Sequence, residues 1–171
     1  MSLTGCLVDV AQTLQKFSKN DNHQSIISSI TKGEIYTSAI LEPLNHDPEN
    51  PTTTAVFDGD KVIINGSKYL SEISSLAKGI LISASSNKGV ILVLVKTDNV
   101  KLTQLTSTAN SPLFKVELNN VSIEQSDIVH QEGRGLETLR YLLQINMVMR
   151  SYIALGVTNK MTSLIASYTS E

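Results

Sequence analysis

The chain has 171 residues, a net charge of −2 and 41% hydrophobic residues, which suits one domain with a real core and is too apolar for a disordered segment. The basic residues form no stripe, which argues against sequence-independent nucleic-acid binding. The single cysteine, Cys6, leaves no partner for an intrachain disulfide and points to a reducing compartment, here the cytoplasm.

The opening MSLTGCLVDV has neither a basic n-region nor a long apolar stretch, so no signal peptide is expected. Leu3, Leu7, Val10, Leu14 and Phe17 then recur at steps of four and three, which predicts one face of a helix. SKND at 18–21 interrupts it. A second helix is expected from about His23 to Lys32, with Asp21 and Gln24 at capping-box spacing and Gly33 as the stop. Its apolar residues are Ile26, Ile27 and Ile30.

From Glu34 to about Ile128 the composition shifts to Val, Ile, Thr and Ser, with frequent turn signals. Strands are predicted near 35–41, 52–58, 61–71, 78–85, 89–96, 99–106 and 112–120. Asp58-Gly59 reads as a two-residue hairpin turn, Asn65-Gly66 as a tight reversal or a bulge, and Asn87-Lys88-Gly89 as a third turn. Many short strands of this kind suggest an antiparallel barrel or two packed sheets, in an α+β chain. The longest apolar run, ILVLV at 91–95, is too short to span a membrane.

Residues 136–169 contain no Pro and only one Gly, Gly156. As a single helix they would reach about 50 Å. Leu139, Leu142, Leu143, Met147, Ile153, Val157, Met161, Leu164 and Ile165 make this segment apolar around much of its circumference. Such a surface needs cover. It is expected to self-associate, giving a homo-oligomer, or to meet other helices of a larger protein. The resulting division is 1–33, the end of a helical domain; 34–130, a β-domain; and 131–171, a long helix.

Chemical motifs are sparse. His23, His46 and His130 lack ligand spacing, so no metal site is expected. No Gly-x-Ser-x-Gly elbow is present. Gly66-Ser67-Lys68 has the tail of a phosphate loop without its upstream glycine. Gly133-Arg134-Gly135 opens a helix and offers amides to an anion, but a flexible hinge is the favoured reading. His46-Asp47 fits a solvated loop better than a proton relay.

The order of these segments carries more information than any motif. ITKGEIYTSAILEP (30–43) resembles the acyl-CoA dehydrogenase pattern L-x-S-G-E…A-L-T-E-P. TTTAVFDGDKVIINGSK (52–68) resembles T-x-A…D-G-D-x-Y-x-L-N-G-x-K. FKVELNNVSIEQSDIV (114–129) resembles V-x-F-x-x-V-x-V-P, and EGRGLETL follows as G-x-G-x-x-x would. ALG at 154–156 and ASY at 166–168 match the first long helix of that family's C-terminal bundle. The resemblance runs from about Leu3 to the end. It implies a middle β-barrel, FAD as cofactor, acyl-CoA as substrate, and a catalytic carboxylate lying later in the bundle than SYTSE. The expected reading is therefore a fragment or truncated homologue with no catalytic residue of its own.

The resemblance also places the flavin contacts, and there this sequence departs from the pattern. Ile40 and Leu41 end the T-E-P strand, and Leu41 replaces its Thr, so the donor to the flavin is lost. The Gly-rich turn that approaches the diphosphate is replaced by Leu44, Asn45, His46 and Asp47. A carboxylate about 4 Å from a phosphate would cost roughly 4 kcal/mol at an effective dielectric near 20, about a thousandfold in affinity. The family's x-W-I-T becomes Leu70, Ser71 and Glu72. Leu70 loses the aromatic face, and Glu72 brings negative charge to a ring that is anionic when reduced. A one-residue bulge would slide Ser71 into the Thr role. Counting back from Gly156 places Met147 at the family's Arg near acyl-CoA, with Arg150 expected to face elsewhere. Scaffold residues Gly33-Glu34, Glu42-Pro43, Asp58-Gly59-Asp60, Asn65-Gly66 and Lys68 are retained. Three readings follow: part of a flavin-dependent acyl-CoA dehydrogenase-type enzyme, a non-catalytic binding or assembly module on that fold, or an unrelated barrel.

Overall fold

The computed structural model describes residues 4–18, 20–108, 111–130 and 132–169, with side chains from residue 8 onward. Leu3 and Lys19 lie outside the described residues, as does the side chain of Leu7. The first helix begins as a wide π-helical stretch, Thr4–Gln12, and continues as α1, Thr13–Phe17. Val10, Leu14 and Phe17 are buried, as their spacing predicts. Helix α2 spans Asp21–Thr31. Its cap is Asn20 rather than Asp21: the Asn20 side chain accepts from the Asn22 amide at 2.8 Å. At the other end Gly33 takes φ +98, while the Gly33 amide bonds Ile30 O and the Glu34 amide bonds Ser29 O. Those two bonds are the paired closure expected of a glycine stop.

Seven strands follow: β1 Tyr36–Ala39, β2 Thr54–Asp58, β3 Lys61–Glu72, β4 Gly79–Ser86, β5 Gly89–Lys96, β6 Lys101–Leu105 and β7 Leu113–Glu124. They form one sheet, ordered β1-β4-β2-β3-β7-β6, with β5 on the free side of β4. The α+β class and the strand count agree with the sequence pattern. The sheet is mixed, however, and not wholly antiparallel: β1 runs parallel to β4 along Gly79–Ile82, and β2 meets β4 in parallel at Ser85.

The turns refine the reading. Asp58 pairs with Lys61, so the two-residue loop is Gly59-Asp60, with Gly59 alone at positive φ. Ser86 pairs with Gly89, which confirms the third hairpin. Asn65-Gly66 is not a reversal: β3 runs on through it, and the register shift opposite it puts the extra residue on β7, at Asn119-Asn120, with Asn120 at φ +51.

Both faces of β4 and β5 are buried, which is why β5 reads as a continuous apolar run. Ile80, Ile82, Ala84, Ile91, Val93 and Val95 enter one core with Val62, Ile64, Val116 and Leu118. Leu81, Leu92 and Leu94 point the other way, to a second core with Val10, Leu14, Ile30, Leu139 and Leu142. That second core fixes the helices against the sheet.

Helix α3, Gly135–Thr169, is 35 residues long. Its first turn packs tightly: a Cβ on Gly135 would lie 1.7 Å from Val90 O. Arg134 pairs with Glu137 and lies over the Phe17 ring. The junction read as a flexible hinge is therefore a packed contact at Gly135. From Ser151 to Thr169 every residue of α3 is exposed. No helix among the described residues is long and apolar enough to cross a membrane.

Candidate functional site

Lys68 and Glu42 explain how the sheet is tied behind the site. Lys68 is fully buried, and its Nζ meets Glu42 Oε1 at 2.7 Å and Ser83 Oγ at 3.0 Å. Glu42 also accepts from the Thr53 amide at 2.9 Å, the Thr52 amide at 2.6 Å, Thr52 Oγ1 at 2.7 Å and Asn45 Nδ2 at 3.0 Å. Burial works to raise the Glu42 carboxyl, but these bonds prevail and hold it well below the usual carboxylate range. Burial pushes the Lys68 ammonium down to about 8 against the pull of Glu42. The pair staples β3 to the segment that follows β1.

That segment is closed on itself. Asp47 accepts from the Glu49 amide at 3.0 Å and from Asn50 Nδ2 at 2.6 Å. Glu49 holds Arg140 of α3 through two bonds, at 2.9 and 2.7 Å. His46 is exposed on this loop, as expected of a solvated turn. Nδ1 of His23 lies 2.6 Å from Ser18 Oγ, and burial lowers the pKa of its imidazole. His130 Nε2 accepts the Leu92 amide at 3.0 Å. Both histidines serve packing. Among the described residues, no group of three or more His, Cys, Asp or Glu is placed to hold a metal ion.

The cleft lies between β1, the end of β3 and α3. Its volume is about 340 Å³, and Ile40, Leu41, Leu70 and Glu72 line it. A bulge in β3 shapes it: Lys68 pairs with Val116 and Ser71 with Phe114, leaving one extra residue on β3. This bulge turns both Tyr69 and Leu70 outward and holds Leu70 at φ +57. A positive φ at leucine is uncommon and costs of order 1–3 kcal/mol. The Tyr69 amide bonds Leu41 O at 2.8 Å, which ties the bulge to the segment just after β1.

The bulge anticipated as a way to bring Ser71 into play exists, but Ser71 is not a lining residue. Its hydroxyl donates to Ser38 O at 3.0 Å and lies 2.7 Å from Ser74 Oγ, on the buried side. Arg150 corrects the helix count. It lines the cleft, bonds Glu72 Oε1 through Nη2 at 3.1 Å and bonds Asn146 Oδ1 through Nε at 2.7 Å. Met147 is largely exposed. Leu142, Asn146 and Arg150 stand at i+4 steps, so they share the cleft-facing side.

Asp9 and Asn146 were missed by the sequence reading. Asp9 is only 3% exposed and lines the cleft. It accepts from Ser38 Oγ at 2.6 Å and from Asn146 Nδ2 at 2.9 and 3.0 Å. The available signal was a carboxylate flanked by Val8 and Val10 on a buried helical face.

A curled mixed sheet clasped between short N-terminal helices and one long C-terminal helix, with a cleft at their junction, defines the fold shared by acyl-CoA dehydrogenases and related flavoproteins. The prolyl acyl carrier protein oxidase AnaB is similar at TM-score 0.74 and 21% identity, over 81% of this chain and 40% of that one. An electron-transferring flavoprotein of Acidaminococcus fermentans matches at TM-score 0.78 and 18% identity, over 85% and 41%. A glutaryl-CoA dehydrogenase from Mycobacterium smegmatis, solved with FADH2, matches at 0.71 and 21%, over 80% and 37%. At these identities the likeness establishes the fold, and the chain spans about 40% of the length of those proteins. No family model and no curated protein matches the sequence.

Proposed function

We propose that this chain is a piece of an acyl-CoA dehydrogenase-type flavoprotein scaffold that is inactive alone and does not hold FAD. Its parts are the end of a helical domain at 1–33, a β-domain at 34–130 and the first bundle helix at 131–171. The observation that carries this reading is the Glu72–Arg150 ion pair at the cleft, where the resemblance places flavin contacts. Leu41 and Leu70 bring no side-chain donor to a flavin edge. Ser71 spends its hydroxyl on the buried side, and Asp47 closes its own loop where the resemblance implies a diphosphate. These residues do not fit the flavin. Acyl-CoA binding and a cytoplasmic location come with the scaffold reading only.

Addition of FAD tests this. The protein is expected to remain colourless after desalting, with no FAD fluorescence quenching. The double variant L41T/E72T, which restores the family pattern at two contacts, is expected to gain measurable FAD affinity. Stoichiometric FAD on the unaltered protein would end the reading.

A second reading, an assembly module, has its own support. Met147, Val148, Tyr152, Ile153, Leu155, Val157, Met161, Leu164, Ile165 and Tyr168 are all at least half exposed on α3. Self-association through this surface is expected, and light scattering after gel filtration reads it. A strict monomer at high concentration would remove this second reading.

A further inference from the structure

The cleft holds a buried carboxylate, Asp9, to which no cation is bonded among the described residues. Asp9 receives hydrogen bonds from Ser38 and Asn146, both neutral. The guanidinium of Arg150 contacts Glu72 and Asn146 instead, and its side chain is mostly exposed. Among the described residues, the charged side chains lining the cleft are Asp9, Glu72 and Arg150. With all of them ionised, two carboxylates face one guanidinium, so the site carries excess negative charge. Burial pushes the Asp9 carboxyl above its ordinary value; the bonds from Ser38 and Asn146 and the more distant Arg150 offset this in part, and Glu72 adds to it. A buried carboxylate is costly until a cation pairs with it.

Most of the remaining lining is apolar, with Ile40, Leu41, Leu70, Leu113, Leu142 and Leu143, and Thr37 and Tyr69 add hydroxyls. A volume of about 340 Å³ sits at the lower end of ligand pockets and suits one small molecule.

We propose that this cleft binds a small apolar molecule carrying a protonated amine, with Asp9 as the anchor for its charge. The ammonium supplies the cation that Asp9 lacks, donating to the carboxylate alongside Ser38 and Asn146. The apolar body covers Leu41 and Leu70, which are otherwise half exposed. The strained Leu70 backbone holds that side chain outward, toward the ligand. An apolar carboxylate is disfavoured, because it meets Asp9 and Glu72 and finds Arg150 already paired.

Three probes of one shape separate the alternatives: benzylamine, benzyl alcohol and benzoate, each titrated by calorimetry and saturation-transfer NMR. Benzylamine is expected to bind best. Asp9→Asn keeps the shape and removes the charge, and it is expected to weaken benzylamine by about thirtyfold or more, the low end for losing one partner of a buried charge pair. Benzyl alcohol should bind that variant and the parent alike. Benzoate binding as well as benzylamine, or no binding of any probe, would overturn the proposal. The probe comparison on the unaltered protein decides the matter even where Asp9→Asn fails to fold. FAD uptake is measured separately, so the failure of the scaffold reading and of this one remain distinct.

Discussion

Two ion pairs flank the bulge of β3 at Tyr69-Leu70 and live under opposite conditions. Lys68–Glu42 is sealed from water, and both side chains are fully engaged. Glu72–Arg150 lies at a cleft, with Arg150 mostly in solvent. The first belongs to residues that the sequence shares with the acyl-CoA dehydrogenase pattern. The second falls where the sequence departs from it. The difference shows how a scaffold is kept while a binding face changes: removing a sealed charge leaves its partner stranded, whereas a solvated pair can be altered at little cost in stability.

Breaking the sealed pair should therefore be the largest effect. Lys68→Ala is expected to cost about 3–5 kcal/mol in urea unfolding, because Glu42 remains buried and uncompensated. A loss under about 1 kcal/mol would put this pair in the same class as the surface one. The pair also predicts the acid limb. Glu42 has a depressed folded-state pKa, so its contribution is present above its ordinary value of 4.5 and fades as pH falls below that. Thermal melts across that window should show a steep loss that Glu42→Gln flattens.

Gly135→Ala comes next. Its Cβ would run into Val90 O, and overpacking of this kind costs about 1–3 kcal/mol. That result would show that the start of α3 is as firmly seated as the Lys68 side of β3. Glu72→Gln is expected to change stability by only about 0–1 kcal/mol. Smallest is Leu164→Lys, on the solvent-facing half of α3, within about 0.5 kcal/mol for the fold. It should nevertheless shift the molecule toward the monomer in light scattering, if that half is where copies meet.

Much of this architecture was legible because period-two alternation and turn residues mark strands directly. All seven strands lie close to their predicted places, and Asn87-Lys88 closes its hairpin as read. Strand direction was not legible. Alternation gives the face of a residue and says nothing about the partner, so the parallel contacts of β4 stayed hidden. The cap moved from Asp21 to Asn20 because both side chains accept a hydrogen bond equally well. Of the flavin-contact positions that the resemblance implies, Ile40, Leu41, Leu70 and Glu72 line the cleft. Ser71 stays on the buried side, because the bulge in β3 turns Tyr69 and Leu70 out together. Arg150 was misplaced by counting from a distant glycine, whereas its i+4 relation to Asn146 gives the correct face. Asp9 and Asn146 meet across a separation of 137 residues, and no local pattern encodes such a meeting.

The most direct measurement is a titration of the purified protein with FAD, followed by visible absorbance and flavin fluorescence. The account predicts that the cofactor stays free and is lost on desalting, because the cleft meets it with leucines and a carboxylate. A yellow protein that retains one FAD per chain would contradict it.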